Sequence, residues 1–169
     1  MFGKRFVFML CACFALSAST SLAFNSAHVT QIKELKNCAN CDLSGANLPN
    51  VSASGADLTT ANFSRANLTN ASFKASNLYG ANFEGANLIR ASLREANLNN
   101  AEFTGARLID AWLGDAILTG ANFTNANLMR ANFKGASIGG ARFQGARLDE
   151  AIWIDGTVCR EGSIGVCKK

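Results

Sequence analysis

Residues 81–90 read Ala81-Asn82-Phe83-Glu84-Gly85-Ala86-Asn87-Leu88-Ile89-Arg90, one five-residue unit followed by another. Followed in both directions, the same unit fills residues 41–153 without insertion or slip, 23 times in succession. The first position is small: Cys41, Ala46, Val51 and Ala56, then Ala throughout except Ser76. The third is Leu or Phe, apart from Ala53, Ile138 and Trp153. A period of five suits neither regular structure. On a helix of 3.6 residues per turn the large residues would wander round the axis. On a flat strand they would alternate between faces. The pattern is consistent only if the chain turns the same way in every unit. The small and large residues, two apart, then point inward from a short extended piece, and the next two positions form a corner. Gly at 45, 85 and 105, or Asn at 50, 70 and 100, suits a corner with positive φ.

With these residues in view, the stretch resembles the pentapeptide repeat proteins. Their central residue corresponds to Leu48, Phe63 and Leu68, and the small residue before it to Ala46, Ala61 and Ala66. The resemblance implies an all-β solenoid, a right-handed quadrilateral β-helix with twenty residues per coil, climbing about 4.8 Å each time. Read on that period, one wall holds Leu43, Phe63, Phe83, Phe103, Phe123 and Phe143, and the facing wall Ala53, Phe73, Leu93, Leu113, Phe133 and Trp153. Ala53 departs from the pattern and leaves the first coil underfilled.

The ends are read as caps. Residues 24–40 form an N-terminal helical cap: Ser26 is its expected N-cap, and Val29, Ile32 and Leu35 share a face that covers the first coil. His28, without a second His or an acidic cluster nearby, reads as a surface residue of that helix. Residues 154–169 form a C-terminal cap, with Asp155-Gly156 as a turn and Cys159 and Cys167 bracketing a loop.

Before the caps, residues 1–23 read as a secretory signal peptide. Lys4 and Arg5 precede the apolar run from Phe6 to Leu16, and Ser21-Leu22-Ala23 supplies small residues for cleavage after Ala23. A lipoprotein signal around Leu10-Cys11-Ala12-Cys13 and an uncleaved anchor are the alternatives. A mature chain, periplasmic or secreted and not membrane-inserted, is the expectation. It keeps four cysteines, and three pairings are conceivable. With nearly six coils between the ends, at about 4.8 Å each, a bridge across the tube is out of reach of a disulfide. Cys38–Cys41 and Cys159–Cys167 remain, as structural disulfides. A redox pair at Cys38-Ala39-Asn40-Cys41 or half of a zinc site are the competing readings.

Lys4 and Arg5 account for two of the 16 basic residues, so the mature chain has 14 against 12 acidic ones. That balance argues against a nucleic-acid partner. Some family members mimic DNA and modulate type II topoisomerases, but they present an acidic surface and act in the cytoplasm. No nucleophile, base and orienter occur together, and no phosphate loop or metal cluster, so neither an enzyme nor a cofactor is expected.

The outer surface is where a partner would act. Ile89, Ile109 and Met129, twenty apart, should stack on one exposed edge, with Trp112 nearby as an anchor for a protein partner. Beside them Arg90, Asp110, Arg130 and Glu150 alternate in sign, as cross-coil pairs would. Lys74, Arg94 and Lys134, interrupted by Gly114, read as a solvated face next to Glu95 and Asp115. The Asn column at 47, 67, 87 and 127 faces outward and is suited to side-chain ladders. The chain is therefore read as an exported, rigid, non-enzymatic interaction module.

Overall fold

The computed structural model describes residues 25–34 and 37–169; the expected leader at 1–23 lies outside them. Residues twenty apart lie one above the other from Asp42↔Asn62 to Asn132↔Ile152, each pair a single parallel bridge. The walls are too short to make longer strands. Each wall contributes two rungs: Leu43 N–H donates upward to Asn62 O at 2.8 Å, and Asn62 N–H donates downward to Cys41 O at 2.8 Å.

Every corner is a β-turn. Ala46 N–H returns to Leu43 O at 3.1 Å, and Gly45 between them has φ 67°. That is where a type II turn places its left-handed residue. Glycine and asparagine hold many of these corners, but Ala75 (φ 55°), Glu95 (φ 59°) and Thr60 (φ 53°) hold the same conformation. The repeated geometry overrides local preference there.

Inside, the Ala and Leu or Phe positions are sealed from water as far as Ala136, and again at Ala146, Leu148 and Ala151. Phe63, Phe83, Phe103, Phe123 and Phe143 form a stack. Successive ring centroids from Phe83 to Phe123 are 4.9 and 4.7 Å apart, with planes within 5°. The centroid spacing exceeds ring thickness, so the rings are offset, as their quadrupoles prefer. Phe73 meets Phe63 edge-on at 5.6 Å, and Phe133 meets Phe123 at 5.9 Å. Ala53 is fully buried, so the short side chain in the first coil lies beneath covered ground.

The helix α1 (Ser26–Glu34) lies against the first coil, with Ile32 buried and Val29 half-buried. Leu35 and Lys36, which the sequence reading adds to this helix, lie outside the described residues. Its N-cap is Asn25, not Ser26: Asn25 Oδ1 accepts the Ala27 N–H at 3.0 Å. Asn can do this as well as Ser, and Ser26 is already within the helix. His28 is more than a surface residue, since its Nδ1 accepts the Asp42 N–H at 2.9 Å. Asn37 Oδ1 does the same for Asp57 at 2.8 Å. Two walls of the first coil thus find side-chain acceptors where, among the described residues, no lower coil lies.

At the far end the chain reverses after Asp155. Thr157 O accepts from Trp153 N–H at 2.7 Å, and residues beyond it pair antiparallel, Ile152↔Val158 and Arg147↔Ile164. The returning segment covers those two walls. Trp153 alone does not close the coil: it is half-buried, edge-on to Phe143 at 5.3 Å, and Ile138 and Phe143 remain half-buried too.

Candidate functional site

The outward position of each wall explains the prevalence of Asn. Asn67 Oδ1 accepts the N–H of Thr69 in its own corner at 3.2 Å, and its Nδ2 donates to Asn47 Oδ1 one coil below at 2.8 Å. Asn97 and Asn77 repeat the ladder at 2.9 Å. Asn87 departs from it and donates to the Thr69 hydroxyl at 3.1 Å. An amide serves both needs because it has an acceptor and a donor. These groups are engaged in structure.

Around one corner the chain places Ile89, Ile109 and Met129 in three successive coils. They are half-buried, not fully exposed as the sequence suggested, because side chains stacked one coil apart cover one another. The neighbouring column supplies a charged rim. Arg130 Nε and Nη2 lie 2.7 and 3.0 Å from the two oxygens of Asp110, which holds that carboxyl below its usual range. Met129 borders a hollow shared with Arg147, Asp149, Glu161 and Ile164. Ile164, 61% exposed, continues the apolar edge onto the C-terminal cap. It was not legible in the repeat, because it lies where the period has ended; only the antiparallel return brings it to the column of Arg147.

Trp112 does not join that edge. Its indole is 53% exposed and opens onto a separate hollow with Arg94, Gly114, Asp115, Asn132 and Lys134, which Ile89, Ile109 and Met129 do not line. Lys74, Arg94, Glu95 and Asp115 form a loose ion network at 3.5–3.9 Å. Exposed pairs of this kind contribute little to stability.

The four cysteines among the described residues pair as Cys38–Cys41 and Cys159–Cys167. Cys38, Cys41 and Cys159 are buried, so an attacking thiol has poor access. Among the described residues no three His, Cys, Asp or Glu side chains are grouped to hold a metal ion. No described helix is long and apolar enough to cross a membrane.

Comparisons with known proteins agree with the geometry. A family model described as pentapeptide repeat region matches residues 46–123, and one described as pentapeptide repeats (8 copies) matches residues 108–145. Comparison with curated proteins gives no match. Among solved structures, a pentapeptide repeat protein from the cyanobacterium Cyanothece 51142 is 30% identical, with a TM-score of 0.55, over 76% of this chain and 98% of that one. A trypsin-treated form of QnrB1, a plasmid-mediated fluoroquinolone resistance protein, has a TM-score of 0.62 at 18% identity, over 67% of this chain and 57% of that one. The second likeness is one of fold alone. These structures carry the right-handed β-helix over to the coil described above: the chain belongs to the pentapeptide repeat family.

Proposed function

We propose that the chain is an exported, non-enzymatic scaffold whose β-helix presents one apolar edge to a protein partner. The observation that carries this is the run Ile89, Ile109, Met129 and, across a shallow hollow, Ile164, rimmed by the Asp110–Arg130 pair. An apolar strip with a polar margin has the anatomy of a docking surface. The rest of the prism is a rigid support, laddered by backbone and amide hydrogen bonds. Export is supported by the leader-like residues 1–23 and by two disulfides, which persist in oxidising compartments such as the periplasm or the exterior. The near balance of basic and acidic residues favours a protein over nucleic acid as the partner, and over mimicry of DNA. The burial of the Cys38–Cys41 bridge favours structure over thiol redox work.

The test is photocrosslinking in the native cell fraction, from a probe at Ile164 and a control probe at Tyr79. Tyr79 is exposed and belongs to the diagonally opposite corner column. A discrete adduct from Ile164, absent from Tyr79 and lost on Ile109→Lys, is expected. Identical adducts from both probes, or none from Ile164, would refute the docking edge. Recovery of the protein in the cytoplasm, with residues 1–23 intact, would refute export.

A further inference from the structure

The corner column beside the Trp112 wall runs Ser54, Lys74, Arg94, Gly114, Lys134, Ile154, one residue per coil. Only in the Trp112 coil does this column lack a side chain. Gly114 is not among the positive-φ residues, so its backbone does not call for glycine. A Cβ there would lie 3.3 Å from Lys134 O, a tight contact, yet Lys74, Arg94 and Lys134 carry side chains at the equivalent turn. Two departures from the repeat therefore coincide in one coil. A large indole stands on the wall, and the corner beside it is vacant. Together they open a hollow of about 500 Å³, the size of a pocket for a small ring or two.

The groups around it are distinctive. Among the described residues Arg94 is held only by ion pairs of 3.8 and 3.9 Å, beyond hydrogen-bond range. Lys134 makes no ion pair among the described residues. On the rim, Asn132 Oδ1 accepts the Lys134 N–H at 2.9 Å, which leaves its Nδ2 to donate outward. Asp155 is engaged by Thr157 and Lys169. Arg94 and Asp115 offset one another at 3.9 Å and Lys169 offsets Asp155, so the unpaired charge in the lining is that of Lys134, beside an exposed apolar side chain, with amide and carboxylate groups placed for hydroxyls.

We infer that this hollow binds an acidic sugar unit, a pyranose ring bearing a carboxylate. The ring's C–H face lies on Trp112, the carboxylate is drawn to Lys134 and Arg94, and hydroxyls meet Asn132 and Asp115. Stacking buries the apolar face of the indole without hiding its polar edge, and charge-assisted bonds fix the orientation of the acid. An aromatic acid would leave the hydroxyl-binding groups unused. The site is distinct from the docking edge and stands or falls independently of it.

The test uses the full mature chain and the indole N–H signals of Trp112 and Trp153 in a ¹H–¹⁵N spectrum. Trigalacturonate is titrated, with maltotriose as the neutral control. A saturable shift confined to Trp112 is expected with the acid and not with maltotriose. Lys134→Gln should weaken binding about tenfold, the scale of one charge-assisted hydrogen bond. Gly114→Lys, which restores the column and fills the hollow, should abolish it, with the Trp153 signal reporting intact folding. No Trp112 shift with trigalacturonate, an equal shift with maltotriose, or undiminished binding by Gly114→Lys would overturn the assignment.

Discussion

His28 Nδ1 stands 2.9 Å from the amide nitrogen of Asp42, in the place where every later coil has a carbonyl below. The equivalent amide of Asn62 donates to Cys41 O at 2.8 Å. The ring is therefore a substitute for a missing coil. His28→Phe keeps the ring's bulk and removes the acceptor. Hydrogen exchange should then accelerate at the Asp42 amide and through α1, while amides from Phe83 onward keep their protection. Unchanged exchange at Asp42 would show that the contact does not hold the cap.

Ala75 occupies a left-handed corner at φ 55° with its side chain exposed. A Cβ in that conformation carries strain that glycine avoids. Ala75→Gly should stabilise the fold by about 0.5–1 kcal/mol, the strain relieved less the entropy of a freer unfolded chain. Urea denaturation measures it. A loss of stability would mean that the corner is not strained.

Phe103 sits mid-stack between Phe83 and Phe123, fully buried. Phe103→Ala should cost about 3–5 kcal/mol, because neighbours one coil away are fixed by their own ladders and cannot collapse into the gap. Phe103→Leu, already the residue of the two flanking walls, should cost markedly less. Equal losses would argue that volume in the stack does not matter.

Several carboxyls are held below their ordinary values. Burial pushes Glu102 up, but hydrogen bonds from the Thr104 hydroxyl, the Asn122 amide and the Thr104 N–H outweigh it. Asp110 is lowered first by its hydrogen bond from Arg130, and Asp57 by the Thr59 hydroxyl. A carboxyl whose folded pKa is depressed lends stability that is complete above its unfolded pKa, about 3.9–4.3. That stability is lost as pH falls through the lower, folded value. Melting temperature should therefore stay level from neutral pH down to about 5 and decline below about 4. Glu102→Gln should make that decline shallower; an unaltered profile would remove Glu102 from the account.

The coil was legible in the sequence because a strict period of five leaves little freedom. Once Phe83 and Phe103 face inward, everything between them is fixed. The periphery was less so, for physical reasons. The half-burial of Ile109 depends on the side chains directly above and below it, which a column of letters lists without their lengths. Trp112 is set apart from that edge because it stands on the wall beyond the corner, in the column of Ser92 and Asn132, and the gap at Gly114 in the sequence does not say that the indole borders it. Ile164 reaches its position by a reversal after Asp155, outside any period. The acceptor role of His28 belongs to the gap beneath the first coil, not to the residues around it.

One consequence follows from the twenty-residue coil. Excising a single unit of five would swing everything above the cut by a quarter turn, so Ile164 would leave the side occupied by Ile89 and face another compass point. Excising four units would merely shorten the tower, with every vertical alignment kept. Length in this molecule is thus a dial with four stops, and a lineage that gains or loses repeats chooses at each step whether its top still looks the same way as its base.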